Sequence, residues 1–140
     1  MTVLIDSWAW IEYFKGTQYG ERARKYIESG EEILVSAINV SEVYRFLLQH
    51  RAQEAQQLID FVLRTSFVIP IDVPIALHAA RLKVEKKFGM ADAIVLATAR
   101  EQHSQVVTGD DDFKNAVLHN SSVAVATPRH SVSFPDMPKI

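Results

Sequence analysis

Apolar residues in this chain gather in short runs separated by longer stretches of helical periodicity. Val3-Leu4-Ile5, Ile33-Leu34-Val35, Phe67-Val68-Ile69, Val106-Val107 and Val123-Ala124-Val125 are rich in β-branched residues and show no apolar–polar alternation. A strand with one wet face alternates, so these runs suit strands covered on both faces, as in a parallel sheet. Between them, Val40, Val43, Tyr44 and Leu47 recur at i, i+3, i+4 and i+7, and Ala55, Leu58, Ile59 and Val62 repeat the spacing. Val73, Leu77, Ala80, Val84 and Phe88 form a further stripe, expected on a helix that Asp72 caps and Gly89 ends. Residues 90–100 are apolar on nearly every side, which predicts a central helix.

Strand and helix patterns thus alternate five times over, and the fold class this predicts is α/β. A length of 140 residues suits one domain with one good core. No Pro/Gly/Ser-rich linker or internal repeat divides it. The expected division is a domain over residues 1–127 and an extended, proline-containing tail over 128–140, where periodicity is lost.

Composition narrows the chemistry. Hydrophobic content of 48% and charged content of 23% exclude a disordered or fibrous chain. No apolar run approaches a membrane span, and the N-terminus lacks a basic leader and cleavage site, so a cytoplasmic protein is expected. Cysteine is absent, which excludes thiolate metal sites and leaves oxygen or imidazole ligands. The net charge of −2 argues against a passive nucleic-acid binder. It argues less against an enzyme that collects acids in one site, because bound cations reverse the local sign.

Those acids can be found. In an open parallel sheet, ligands bind at the carboxyl edge of the strands. Asp6 directly follows the first strand, and Asp110 follows Val106-Val107 within three residues. Glu42 is expected in the first turn of the helix after the second strand, and Asp92 in the first turn of the central helix. Four converging carboxylates repel one another unless cations neutralise them. Hard divalent ions are the usual solution, and two of them roughly 4 Å apart can activate a water and stabilise a departing phosphodiester oxygen. Each acid also has an ordinary explanation: a capping box for Asn39-Val40-Ser41-Glu42, a helix-dipole contact for Asp92, a turn for Asp6 and a solvated run for Asp110-Asp111-Asp112. Four such coincidences on one edge are less probable than one site.

The segments Val3-Leu4-Ile5-Asp6-Ser7, Asn39-Val40-Ser41-Glu42-Val43, Ala91-Asp92-Ala93-Ile94-Val95-Leu96-Ala97-Thr98-Ala99 and Val107-Thr108-Gly109-Asp110-Asp111-Asp112-Phe113 occur in the order found in PIN-domain proteins. The chain most resembles the VapC-type toxins of toxin–antitoxin pairs, over nearly its whole length to about Val125. The resemblance implies a single PIN-like domain with a five-stranded parallel sheet flanked by helices, and Mg²⁺- or Mn²⁺-dependent cleavage of RNA. It puts the metal-binding acids on Asp6, Glu42, Asp92 and Asp110, an auxiliary acid on Asp112, and supporting hydroxyls on Ser7 and Thr108. A homodimer and an antitoxin partner are implied as well. Gly109 departs from relatives that often carry a basic or amide side chain there.

Other residues weigh less. Arg45, Lys15 and Lys114 lie near the acids and are candidate phosphate contacts, with a helix salt bridge to Glu42 as the alternative for Arg45. Trp8 and Trp10 read first as core residues, with dimer contact or base stacking as other uses. The large residues Trp8, Trp10, Tyr13, Phe14, Tyr44 and Phe46 are many for so small a core and suggest a buried interface. The five histidines lack ligand spacing. A haloacid-dehalogenase-like phosphatase needs an acid where Trp8 stands, a phosphorylatable receiver needs paired acids at the first strand, and no Walker-type loop is present. A DNA nuclease, an RNA-processing nuclease outside any toxin pair and a non-catalytic PIN-fold interaction module remain as alternatives.

Overall fold

The computed structural model describes residues 2–85, 87, 89–109 and the backbone of 125–126. Five strands, β1 (Val3–Ile5), β2 (Ile33–Ser36), β3 (Phe67–Ile69), β4 (Gln105–Val107) and β5 (Val125–Ala126), form one wholly parallel sheet in the order β3-β2-β1-β4-β5. Helices α1 (Ser7–Lys15), α2 (Glu21–Glu28), α3 (Ala37–His50), α4 (Ala55–Thr65), α5 (Val73–Glu85) and α6 (Met90–Glu101) connect the strands. A single-domain α/β fold with a five-stranded parallel sheet is therefore what the chain adopts. The proposed tail over 128–140 lies outside the described residues.

Side chains along a strand point to alternate faces, and both faces here are covered. Val3, Ile5, Ile33, Val35 and Val107 pack on one side with Ala9, Trp10, Val43, Leu47, Ile59 and Val62 from α1, α3 and α4. Leu4, Leu34 and Val106 pack on the other with Ile75, Ala79 and Leu82 of α5 and Ala93, Leu96 and Ala97 of α6. This double burial explains the unbroken apolar runs. Gly16 ends α1 in a left-handed conformation (φ 71°), where its N–H reaches the carbonyls of Glu12 and Tyr13.

Three expectations need correcting. The stripe Val73, Leu77, Ala80, Val84 faces outward, with Val73 69%, Leu77 55% and Val84 89% exposed; Ile75, Ala79 and Leu82 make the buried face of α5. Both faces of this helix are apolar, so periodicity alone could not choose between them. Asp72 does cap it, its Oδ1 accepting from the Ile75 N–H at 3.0 Å. Secondly, most of the large aromatics of α1 do not seek a partner: Trp10 is fully buried and forms one internal cluster with Tyr13, Phe14 and Phe61. Thirdly, the cap of α3 is Ser36, whose hydroxyl accepts from the Ile38 N–H. Glu42 therefore lies in the second turn of α3 rather than the first, and Asn39 begins no capping box. Among the described residues, no helix is long and apolar enough to cross a membrane.

Candidate active site

The carboxyl ends of β1, β2 and β4 stand side by side at the centre of the sheet, and each delivers one part of the site. β1 is followed directly by Asp6, the N-cap of α1, whose backbone N–H is held by the Val107 carbonyl of β4 at 3.0 Å. The next residue after Val107 is Thr108, fully buried, and its hydroxyl donates to Asp6 Oδ2 at 2.8 Å. β2 ends in Ser36, and α3 starts there, which brings Asn39 and Glu42 over the end of β1.

Two residues tie the carboxylates of Asp6 and Glu42 together. Ser7 donates its backbone N–H to Asp6 Oδ1 at 2.9 Å and its hydroxyl to Glu42 Oε1 at 3.1 Å. Asn39 donates its Nδ2 to the same two oxygens, at 3.0 Å and 3.3 Å. Asp6 is only 4% exposed, so its charge is largely withdrawn from water and depends on these donors. Sequence reading named Ser7 and Thr108 as hydroxyls that orient the acids, and each does contact a carboxylate. It missed Asn39, which it absorbed into a helix cap; the usable signal was a poor helix former placed three residues before a candidate acid.

Glu42 Oε2 accepts no hydrogen bond among the described residues, and Glu42 makes no ion pair there with Arg45. Asp92 is the third residue of α6, which Gly89 caps. Because α6 leads into the amino end of β4, its own N-terminus returns to the carboxyl edge. Ile38 of α3 and Ile94 of α6 pack on the same core cluster, which brings the two helix starts near each other at the carboxyl edge although the helices cover opposite faces of the sheet. Among the described residues, no three acids or histidines stand at metal-ligand spacing. Asp110, Asp112 and Lys114 lie outside the described residues.

A cleft of about 290 Å³ opens from this pair along the groove between α1 and α3, with Ser7, Trp8, Glu42, Arg45 and Phe46 in its walls. Arg45 is exposed there, one helical turn beyond Glu42. Lys15 must be removed from the candidate phosphate contacts: its ammonium is buried and bonds Glu12 Oε1 at 2.8 Å inside the protein. Trp8 lies against Gly109 so closely that a Cβ at 109 would overlap the benzo part of the indole. The departure at Gly109 is thus matched by an aromatic ring in the space of the missing side chain. His78 pairs with Glu101 at the surface, away from the acids.

The fold and this edge define a parallel α/β protein with an acidic site at the strand ends. The PIN domain family model matches residues 3–117, and the chain belongs to that family. Solved structures with the same fold include a toxin–antitoxin complex from Klebsiella pneumoniae (24% identity, TM-score 0.72, 87% of this chain and 95% of that one). FitAcB from Neisseria gonorrhoeae is similar (24%, 0.69, 91% and 99%), as is the Mycobacterium tuberculosis toxin VapC20, described as cleaving the sarcin–ricin loop (16%, 0.67, 81% and 94%). No curated protein matches the sequence.

Proposed function

We propose that this chain is a divalent-metal-dependent endoribonuclease and the toxin of a toxin–antitoxin pair. The observation that carries the reading is the Asp6–Glu42 pair, two carboxylates joined by shared neutral donors at the carboxyl edge of a PIN-family sheet. Like charges at such a spacing raise the cost of ionising both unless a cation joins them. The donor set fits a hard cation: carboxylate oxygens supported by hydroxyl and amide groups, with no sulfur, and Glu42 Oε2 open to a ligand. Asp6 and Glu42 would hold Mg²⁺ or Mn²⁺, with Asp92 and Asp110 as further ligands and Asp112 as an auxiliary acid. The ion's chemistry is to lower the pKa of a bound water and to neutralise charge on the phosphodiester.

The protein's own part is positioning. Ser7, Asn39 and Thr108 fix the acids before substrate arrives, and such support typically governs metal affinity. Arg45, beside Glu42 in the cleft, is the cation suited to the RNA phosphate next to the scissile one, with Lys114 as a second candidate. The similar structure from Klebsiella pneumoniae is a toxin–antitoxin complex, which supports an antitoxin partner for this chain. The outward stripe of α5 supports a homodimer, because Val73, Leu77 and Val84 leave a row of apolar side chains in water on a helix already packed on its other face. A cytoplasmic location would fit an RNA substrate.

The test is incubation of structured and unstructured RNA with the protein in Mn²⁺ and in EDTA, with the cleaved ends sequenced. Internal cuts that need Mn²⁺ are expected. Undiminished cleavage in chelator would remove the metal mechanism, and binding without cleavage under all conditions would favour the interaction-module alternative.

A further inference from the structure

We infer that Asn39 is a positioning residue that sets the separation of the Asp6 and Glu42 carboxylates, and so the protein's affinity for a divalent cation. This rests on the metal-centre reading above. An amide nitrogen carries two N–H groups that diverge by about 120°, so one Asn can hold two acceptors apart at a fixed distance. Asn39 uses both, one on Asp6 Oδ1 at 3.0 Å and one on Glu42 Oε1 at 3.3 Å.

Two further observations separate this role from ordinary packing. Asn39 is completely buried, and among the described residues its Oδ1 has no hydrogen-bond partner. A buried polar atom left unpaired is unfavourable, and an apolar residue would avoid it. Nor does Asn39 serve the helix, since Ser36 supplies the cap of α3 and Asn is a poor helix former. What the amide provides is a neutral double donor between two anions. A lysine there would compete with a cation, an aspartate would add a third negative charge, and a hydroxyl could donate to only one of the two. Ser7 bridges the same oxygens, but one of its two bonds is backbone, so Asn39 is the side chain whose loss would let the Glu42 arm of α3 and the Asp6 end of β1 part.

Asn39→Leu, of similar volume and without donors, is the informative change. Direct Mn²⁺ binding to the full chain, measured by electron paramagnetic resonance of the unbound ion, should be about 10- to 100-fold weaker than in wild type. A crystal structure of metal-free Asn39→Leu should show the two carboxylates farther apart. Asn39→Ser serves if the leucine variant does not fold, and should lose a smaller part of the affinity. Wild-type affinity in the donor-free variant, or carboxylates at wild-type positions in its metal-free structure, would overturn the inference. A wild-type chain that binds no Mn²⁺ would instead remove the metal-centre reading, and the metal-free structures would still decide what Asn39 does.

Discussion

Gly109 and Trp8 occupy one space between them: the residue after Thr108 has no side chain, and the indole of α1 lies where its Cβ would be. Gly109→Ala therefore forces the ring or the strand end to shift. Overpacking of this kind costs roughly 1–3 kcal/mol. The loss should be largely absent in a Trp8→Ala background, because the overlap is gone. Urea unfolding of the two single variants and the double variant measures this coupling; additive effects would show that the overlap with Trp8 is not the source of the loss.

The buried Glu12–Lys15 pair, with Thr17 as a second donor to Glu12, ties the end of α1 to the turn that follows. Lys15→Met leaves the Glu12 carboxylate without its cation. Breaking one side of a buried pair typically costs about 3–5 kcal/mol, and Glu12→Gln with Lys15→Met should recover part of it. RNA cleavage below the melting transition should stay within a few-fold of wild type. A large loss of cleavage in a folded Lys15→Met protein would return Lys15 to the substrate contacts.

Asp92→Asn keeps the shape of the side chain and removes one negative charge from the proposed metal centre. The metal-free melting temperature should hold or rise as repulsion falls. Stabilisation by Mn²⁺ should shrink, since a ligand stabilises only through its affinity for the native state. Cleavage should drop by more than the ~10–100-fold typical of a residue that merely supports a metal ligand. Differential scanning fluorimetry with and without Mn²⁺ decides it, and a metal-free melting temperature well below wild type would make Asp92 structural.

A homodimer through the outward face of α5 should dissociate when that face is charged. Leu77→Asp, at a position 55% exposed, should fold normally and run as a monomer in light scattering at micromolar concentration and physiological salt. A wild-type monomer under those conditions would contradict the dimer. A dimer that survives Leu77→Asp would move the interface elsewhere.

The sheet was legible in the sequence because parallel strands buried on both faces read as unbroken apolar runs, as Val3-Leu4-Ile5 and Ile33-Leu34-Val35 do. Asp6 was legible for the same reason, as the first polar residue after such a run. α5 misled because it carries two apolar stripes, and only the packed structure tells that Ile75, Ala79 and Leu82 are the inner one. Glu42 was placed a turn too early because Ser36, the true cap, sits at the end of an apolar strand. Asn39 and Lys15 are the clearest cases of what sequence withholds. Each is a polar residue whose role depends on which buried partner the fold brings to it, two carboxylates for one and Glu12 for the other.

The most direct measurement is the single-turnover rate of RNA cleavage across a Mn²⁺ titration for wild type, Asp6→Asn and Glu42→Gln. Both substitutions keep side-chain shape and remove a charge from the pair that Ser7 and Asn39 join. The account predicts metal-dependent cleavage by wild type and, for each variant, a deep loss of rate that part of the titration's upper range only partly restores. Wild-type rates in either variant, or a wild-type rate indifferent to Mn²⁺, would contradict it.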